Sequence, residues 1–195
     1  RDPEMSRGLG DVYKRQGEYA GDGTALYRFE NGSAVLSGNV RSQGLGGGGL
    51  TCAAGSHVQA AASSFVWNKT SGFDIPEADS SASAENCFFW GNGWTGANVR
   101  SNSVMTLTGC QVENNGYNTA NLLTTDGDTA SNTFPGLDVQ GAGMMKISHC
   151  GILNNAGNGV QCSPDSKTYL YGWNHIYASL LYTSPSPRDI SGSRM

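Results

Sequence analysis

A repeat of about 23 residues constrains this chain more than any other feature. Gly49, Gly72, Gly96, Gly136 and Gly159 are spaced by 23, 24, 40 and 23 residues, and the interval of 40 is one period plus an insertion of about 17 residues, 118–135. Three residues after the leading glycine stand Cys52, Ile75, Val99, Val139 and Cys162. A second column reads Ser64, Cys87, Cys110, Cys150 and Asn174, and two residues further on stand Val66, Phe89, Val112, Ile152 and Ile176. Within each coil the apolar residues alternate in short bursts, which is strand periodicity, and Gly, Asn and Ser turns separate the bursts. Strands this short cannot close a core within one coil. Stacked at ~4.8 Å per coil, each inward column becomes a continuous apolar ladder. The expectation is a single all-β solenoid of about five to six coils: five from about Gly49 to Tyr177, and a looser sixth before them with Leu26 and Val40 in equivalent places. Volumes agree with this register. The coil with small Ala82 and Ala84 brings in the large Phe89, while the coil with Met105 and Leu107 brings in only Val112.

The two ends read differently. Residues 6–16 are SRGLGDVYKRQ and residues 180–189 are LLYTSPSPRD, and one DNA word read on its two strands encodes both strings. They look like translated sequencing-adapter DNA, so residues 1–16 and 180–195 are set apart as adapter-derived, and 17–179 is read as a β-helix fragment without its terminal caps. That stretch carries six Lys and Arg against twelve Asp and Glu. An acidic surface without a basic cluster points away from nucleic acid and anionic membranes. No apolar run approaches the roughly 18 residues of a membrane span. Five cysteines are an odd number for a closed disulfide framework. The glycosylation-type triplets Asn31-Gly-Ser33 and Asn68-Lys-Thr70 point toward an extracellular setting, though such triplets are common by chance.

At the leading Gly-h-x-h, the turns Asn86-Cys87, Gly109-Cys110 and His149-Cys150, and the closing pairs Asn114-Asn115 and Asn154-Asn155, the chain resembles the right-handed parallel β-helix repeats of the pectin-lyase-like superfamily. The resemblance covers about 130 residues and implies an architecture more than an activity, because this fold hosts lyases, hydrolases, esterases, adhesins and binding scaffolds. A lyase of the superfamily would hold Ca²⁺ with carboxylates and use an Arg or Lys as base; otherwise no cofactor is implied. A polygalacturonase-like hydrolase would use several Asp with a Gly-His-Gly and an Arg-x-Lys, neither of which this chain contains. Its Asn-Thr-Asp is matched only in part by Thr125-Asp126-Gly127, inside the insertion.

Three sets of residues are candidates for function. With Val66 and Phe89 inward, alternation sends Phe65, Trp67, Phe88 and Trp90 outward as an aromatic strip suited to stacking on sugar rings; a covering segment would instead make it structural. Outward positions of the first strand form the column Thr51, Asp74, Asn98, Asp138 and Gln161, with Arg100 nearby. Asp74, Arg100, Asp126, Asp128 and Asp138 are the catalytic candidates under an enzyme reading, and solvated surface under the plainer one. Cys87, Cys110 and Cys150 share a column beside His149, but without CxxC or HxxxH spacing they read as small buried hydrophobes and no metal site is expected. His57, His149 and His175 fall in different columns or distant coils. Carbohydrate binding through the aromatic strip is the leading expectation, with a polysaccharide or glycoprotein glycan as partner. A polysaccharide lyase or hydrolase, and a protein-interaction scaffold or adhesin, stand as alternatives.

Overall fold

The computed structural model describes residues 27–37, 40–43, 47–117, 134–177 and the backbone of 181–183. The chain winds through strands β1 (Tyr27–Glu30), β2 (Ser33–Leu36), β3 (Arg41–Gln43), β4 (Leu50–Ala53), β5 (His57–Ala61), β6 (Ser64–Val66), β7 (Phe73–Ile75), β8 (Ser81–Glu85) and β9 (Phe88–Trp90). It continues through β10 (Ala97–Val99), β11 (Val104–Thr108), β12 (Gln111–Glu113), β13 (Leu137–Val139), β14 (Met144–Ser148), β15 (Gly151–Leu153), β16 (Val160–Cys162), β17 (Lys167–Tyr171), β18 (His175–Tyr177) and β19 (Leu181–Thr183). Every third strand joins the same sheet. The first sheet runs β1-β4-β7-β10-β13-β16-β19, the second β2-β5-β8-β11-β14-β17 and the third β3-β6-β9-β12-β15-β18. All of the strand pairs are parallel, so the three sheets form the walls of one solenoid, and six of its coils supply a strand to each wall. β19 extends the first sheet past position 179, where the repeat was expected to end.

The interior is the set of columns the repeat implied. Ile75, Val99, Val139 and Cys162 are in register and buried, with Cys52 buried at the head of the column. In the earlier coil Phe29 is the partner of Cys52, whereas Leu26 lies outside the described residues. On the second sheet Val58, Ala82, Met105 and Met145 share one buried column and Ala60, Ala84, Leu107 and Ile147 another.

One column is corrected. Phe65, not Val66, pairs with Phe89, and Phe65 is fully buried. Its ring stacks on Phe89 at 5.2 Å between centroids with planes 15° apart. The turn between β7 and β8 holds five residues where the turn between β4 and β5 holds three, while β4 is one residue longer than β7. Counting from the leading glycine therefore loses one residue, and a slip of one exchanges the two faces of a strand. Val66 sits instead on the outer face, opposite Trp90, yet is covered there. The turn column likewise begins at Ser63 rather than Ser64, since the N–H of Phe88 bonds the carbonyl of Ser63.

An asparagine ladder ties the coils together where the third sheet returns to the first. Asn68, Asn92, Asn115 and Asn155 are all buried. Asn115 Oδ1 accepts from both the backbone N–H and the Nδ2 of Asn92, at 3.1 and 2.8 Å, and Asn115 Nδ2 passes the pattern on to Asn155 Oδ1 at 3.0 Å. The leading glycine follows from this ladder. A Cβ on Gly72 would lie 2.8 Å from Asn92 Nδ2, and one on Gly136 would lie 2.5 Å from Asn155 Nδ2. The asparagine of the Asn68-Lys-Thr70 triplet is thus buried, while Lys69 and Thr70 are partly exposed. The closing pairs split into two roles: Asn114 and Asn154 adopt φ of 55° and 51°, while their neighbours Asn115 and Asn155 point inward. Asn115→Ala strands two buried donors of Asn92, at roughly 1–3 kcal/mol for each unsatisfied group. Thermal unfolding of the variant should show a large drop in Tm; an unchanged Tm would remove the ladder from the account.

Candidate functional site

The outward column of the first sheet is as the repeat implied. Thr51, Asp74, Asn98, Asp138 and Gln161 follow one another in register across β4, β7, β10, β13 and β16. Over its middle lies a cleft of about 170 Å³ lined by Asp74, Asn98, Arg100, Asp138, Gln140 and, on one side, Trp94 and Phe134. Three of the catalytic candidates thus come together: Asp74, Arg100 and Asp138. Asp126 and Asp128 lie outside the described residues.

Arg100 leaves the end of β10 and turns back along the sheet, so that its Nη2 donates to Asp74 Oδ2 at 3.1 Å and Oδ1 at 3.3 Å. Gln140 Nε2 donates to Asp138 Oδ2 at 2.5 Å. Burial raises the Asp74 carboxyl above its ordinary range, against the pull of the Arg100 guanidinium and an Asn98 amide. Burial also raises Asp138, against its hydrogen bond from Gln140. Three further polar atoms, Asn98 Oδ1, Arg100 Nε and Asp138 Oδ1, are buried without a hydrogen-bond partner among the described residues. Buried polar groups of native proteins are nearly always satisfied, and three of the six unpartnered ones among the described residues lie in this cleft.

Trp94 and Phe134 supply an aromatic wall that sequence reasoning missed. Their rings stack at 5.4 Å with planes 24° apart, and Trp94 is 45% exposed. The signal was present: each stands two residues before a leading glycine, Gly96 and Gly136, but the insertion between them hid the match.

The expected aromatic strip is on a different wall, the third sheet, and in altered form. Phe65 is withdrawn from it into the core. Phe88 and Trp90 keep their outward places and are half-buried, and Trp67 is 38% exposed. The strip and the cleft are therefore separate surfaces.

Cys87, Cys110 and Cys150 form an interior ladder, while Cys52 and Cys162 stand in the buried column of the first sheet. All five are free and buried. The N–H of Cys110 donates to Cys150 Sγ at 3.4 Å. The Cys110 thiol, donating toward Cys150, pushes Cys150 down to about 7 and is itself raised by the same contact. Burial pushes Cys52 up to about 11. Among the described residues no three His, Cys, Asp or Glu side chains gather to hold a metal ion. Among the described residues, Asp74 is engaged by Arg100 and one oxygen of Asp138 by Gln140. The histidines do not cluster, His57 standing on β5, His175 on β18 and His149 in the turn before β15. No helix among the described residues is long and apolar enough to cross a membrane.

Three parallel walls wound from one repeat, with a polar cleft on one wall and ladders of like side chains inside, define a parallel β-helix. The chain belongs to the family described as the right handed beta helix region, whose model matches residues 23–174. Among solved structures it is similar to the A-module of mannuronan C-5 epimerase from Azotobacter vinelandii, with a TM-score of 0.58, 14% identity, and coverage of 84% of this chain and 46% of that one. At that identity the likeness is one of fold. The chain spans less than half of that module. No curated protein matches the chain in sequence.

Both raised carboxyls bind protons more tightly in the folded state than in the unfolded one. The stability they leave intact below the unfolded value of 3.8 is lost as pH rises through their raised folded values. Asp138→Asn, which cannot ionise, should therefore have a higher Tm than the parent at pH 7, and the gain should vanish below about pH 3.8. A lower Tm at pH 7 would show that Asp138 is structural.

Proposed function

We propose that this β-helix binds a polysaccharide in the cleft over β7, β10 and β13. The observation that carries the reading is the convergence of orphaned polar atoms beside an exposed aromatic ring. A sugar ring buries its C–H face on an aromatic plane and presents hydroxyls around its edge, each able to donate and accept. Trp94, stacked on Phe134, offers the plane. Once their side chains rotate toward the cleft, Asn98 Oδ1 and Asp138 Oδ1 would accept from hydroxyls and Arg100 Nε would donate, which answers all three orphans at once. The fold relation to a carbohydrate-acting epimerase supports the same class of ligand.

A second reading, a hydrolase, is favoured by one observation. Asp74 and Asp138 stand two strands apart on one face, roughly 9–10 Å by strand spacing, and burial holds both above the usual carboxylate range. Such a pair, one protonated and one ionised, is what general acid and base catalysis at a glycosidic bond requires.

Affinity electrophoresis through native gels cast with alginate, polygalacturonate or arabinoxylan tests the first reading. The parent should be retarded by at least one of them, and Trp94→Ala should weaken retardation about tenfold, the loss of roughly 1.4 kcal/mol of ring-face contact. Retardation by none of the three, or equal retardation of the variant, contradicts it. Release of reducing ends by the parent, abolished in Asp138→Asn, would select the hydrolase; binding without product selects the binder.

A further inference from the structure

The residue after each of β6, β9, β12 and β15 is held in left-handed backbone: Trp67 at φ 53°, Gly91 at 65°, Asn114 at 55° and Asn154 at 51°. The four are equivalent, because the N–H of each of Trp67, Gly91, Asn114 and Asn154 bonds the last strand residue of the next coil, Trp90, Glu113, Leu153 and Tyr177. Gly and Asn are the residues that tolerate this conformation. Trp67 is the exception, a bulky side chain where the backbone favours none.

Burial does not account for it. The Trp67 ring remains 38% exposed. It meets Trp90 edge to face, with centroids 4.4 Å apart and planes at 83°, and it overlies Gly91, where a Cβ would come within 3.0 Å of the indole. Along β9 the rings of Phe88 and Trp90 lie with planes only 14° apart and centroids 6.5 Å apart. The neighbouring strand presents Gln111 opposite Phe88 and Glu113 opposite Trp90. Aromatic faces thus stand one coil step from an amide and a carboxylate. A purely apolar partner would desolvate Gln111 and Glu113 without answering them, whereas a polyhydroxylated ring stacks on the first set and bonds the second.

We infer that Trp67, Phe88 and Trp90, with Gln111 and Glu113, form a second sugar-binding face on the third sheet, and that Trp67 occupies its left-handed position to contact ligand rather than to stabilise the fold. The inference rests on the reading of a polysaccharide ligand, but it uses a wall of the solenoid that the cleft does not share.

The test uses the full chain, its Trp67→Asn and Trp90→Ala variants, and Trp94→Ala as the cleft control, in the same three polysaccharide gels and in thermal unfolding. Trp67→Asn should unfold at a higher temperature than the parent, and both strip variants should lose at least threefold in retardation. Strip variants retarded like the parent while Trp94→Ala is not would overturn this face and leave the cleft reading standing. A parent retarded by no polysaccharide overturns both. A Trp67→Asn protein that melts below the parent would show that the indole is a packing residue and overturn its assigned role.

Discussion

The structure depends on successive coils lying in register, and the asparagine ladder sets that register. Backbone bonds between parallel strands would form equally well after a slip, because every strand offers the same donors and acceptors. The ladder would not. Asn92, Asn115 and Asn155 each receive at Oδ1 a backbone N–H and an amide from the coil before, so a shift of one residue strands several buried groups together. The leading glycines are the complement, leaving room for the amides at Gly72 and Gly136. Apolar columns then fill the space the ladder encloses, and the bulk of Met105 and Leu107 is offset by Val112 just as the bulk of Phe89 is offset by Ala82 and Ala84.

A scaffold of this kind turns sequence spacing into surface geometry. Residues one repeat apart stand about one strand spacing apart, which is how Asp74, Asn98 and Asp138 come to line a cleft and how Trp94 comes to face Phe134. The rigid walls hold these side chains in places that are unfavourable for the fold itself: carboxyls raised by burial, polar atoms without partners, and a tryptophan in left-handed backbone. Each lies on the outside of the solenoid, while Asn92, Asn115 and Asn155 inside it are joined by continuous hydrogen bonds.

Much of this was legible in the residues. The column from Cys52 to Cys162 and the outward acids were placed because both belong to the first strand, close to the glycine that starts the count. Legibility fell with distance from that glycine. A variable turn between the first and second strands shifted the first full coil by one, which sent Phe65 outward on paper and inward in the fold. The asparagine ladder was not read: Asn114-Asn115 and Asn154-Asn155 stood out only as pairs that close a coil, Asn92 belongs to no such pair, and Asn68 heads a glycosylation-type triplet although its side chain is buried. Trp94 and Phe134 were missed because an insertion separates two positions that the repeat makes neighbours. Asp126 and Asp128 were named from a motif fragment and lie beyond the described residues.

The in-register stack is tested most directly by distance. Val35, Gln59, Ser83, Thr106, Lys146 and Tyr169 follow one another across the second sheet, and the two end members are 56% and 39% exposed. Nitroxide labels at Val35 and Tyr169, measured by pulsed electron-electron double resonance, span five coil steps. The account calls for a narrow distribution centred at roughly 24 Å, five times the strand spacing, shortening by one step when the first label moves to Gln59. A broad distribution, or one centred beyond about twice that distance, would contradict it.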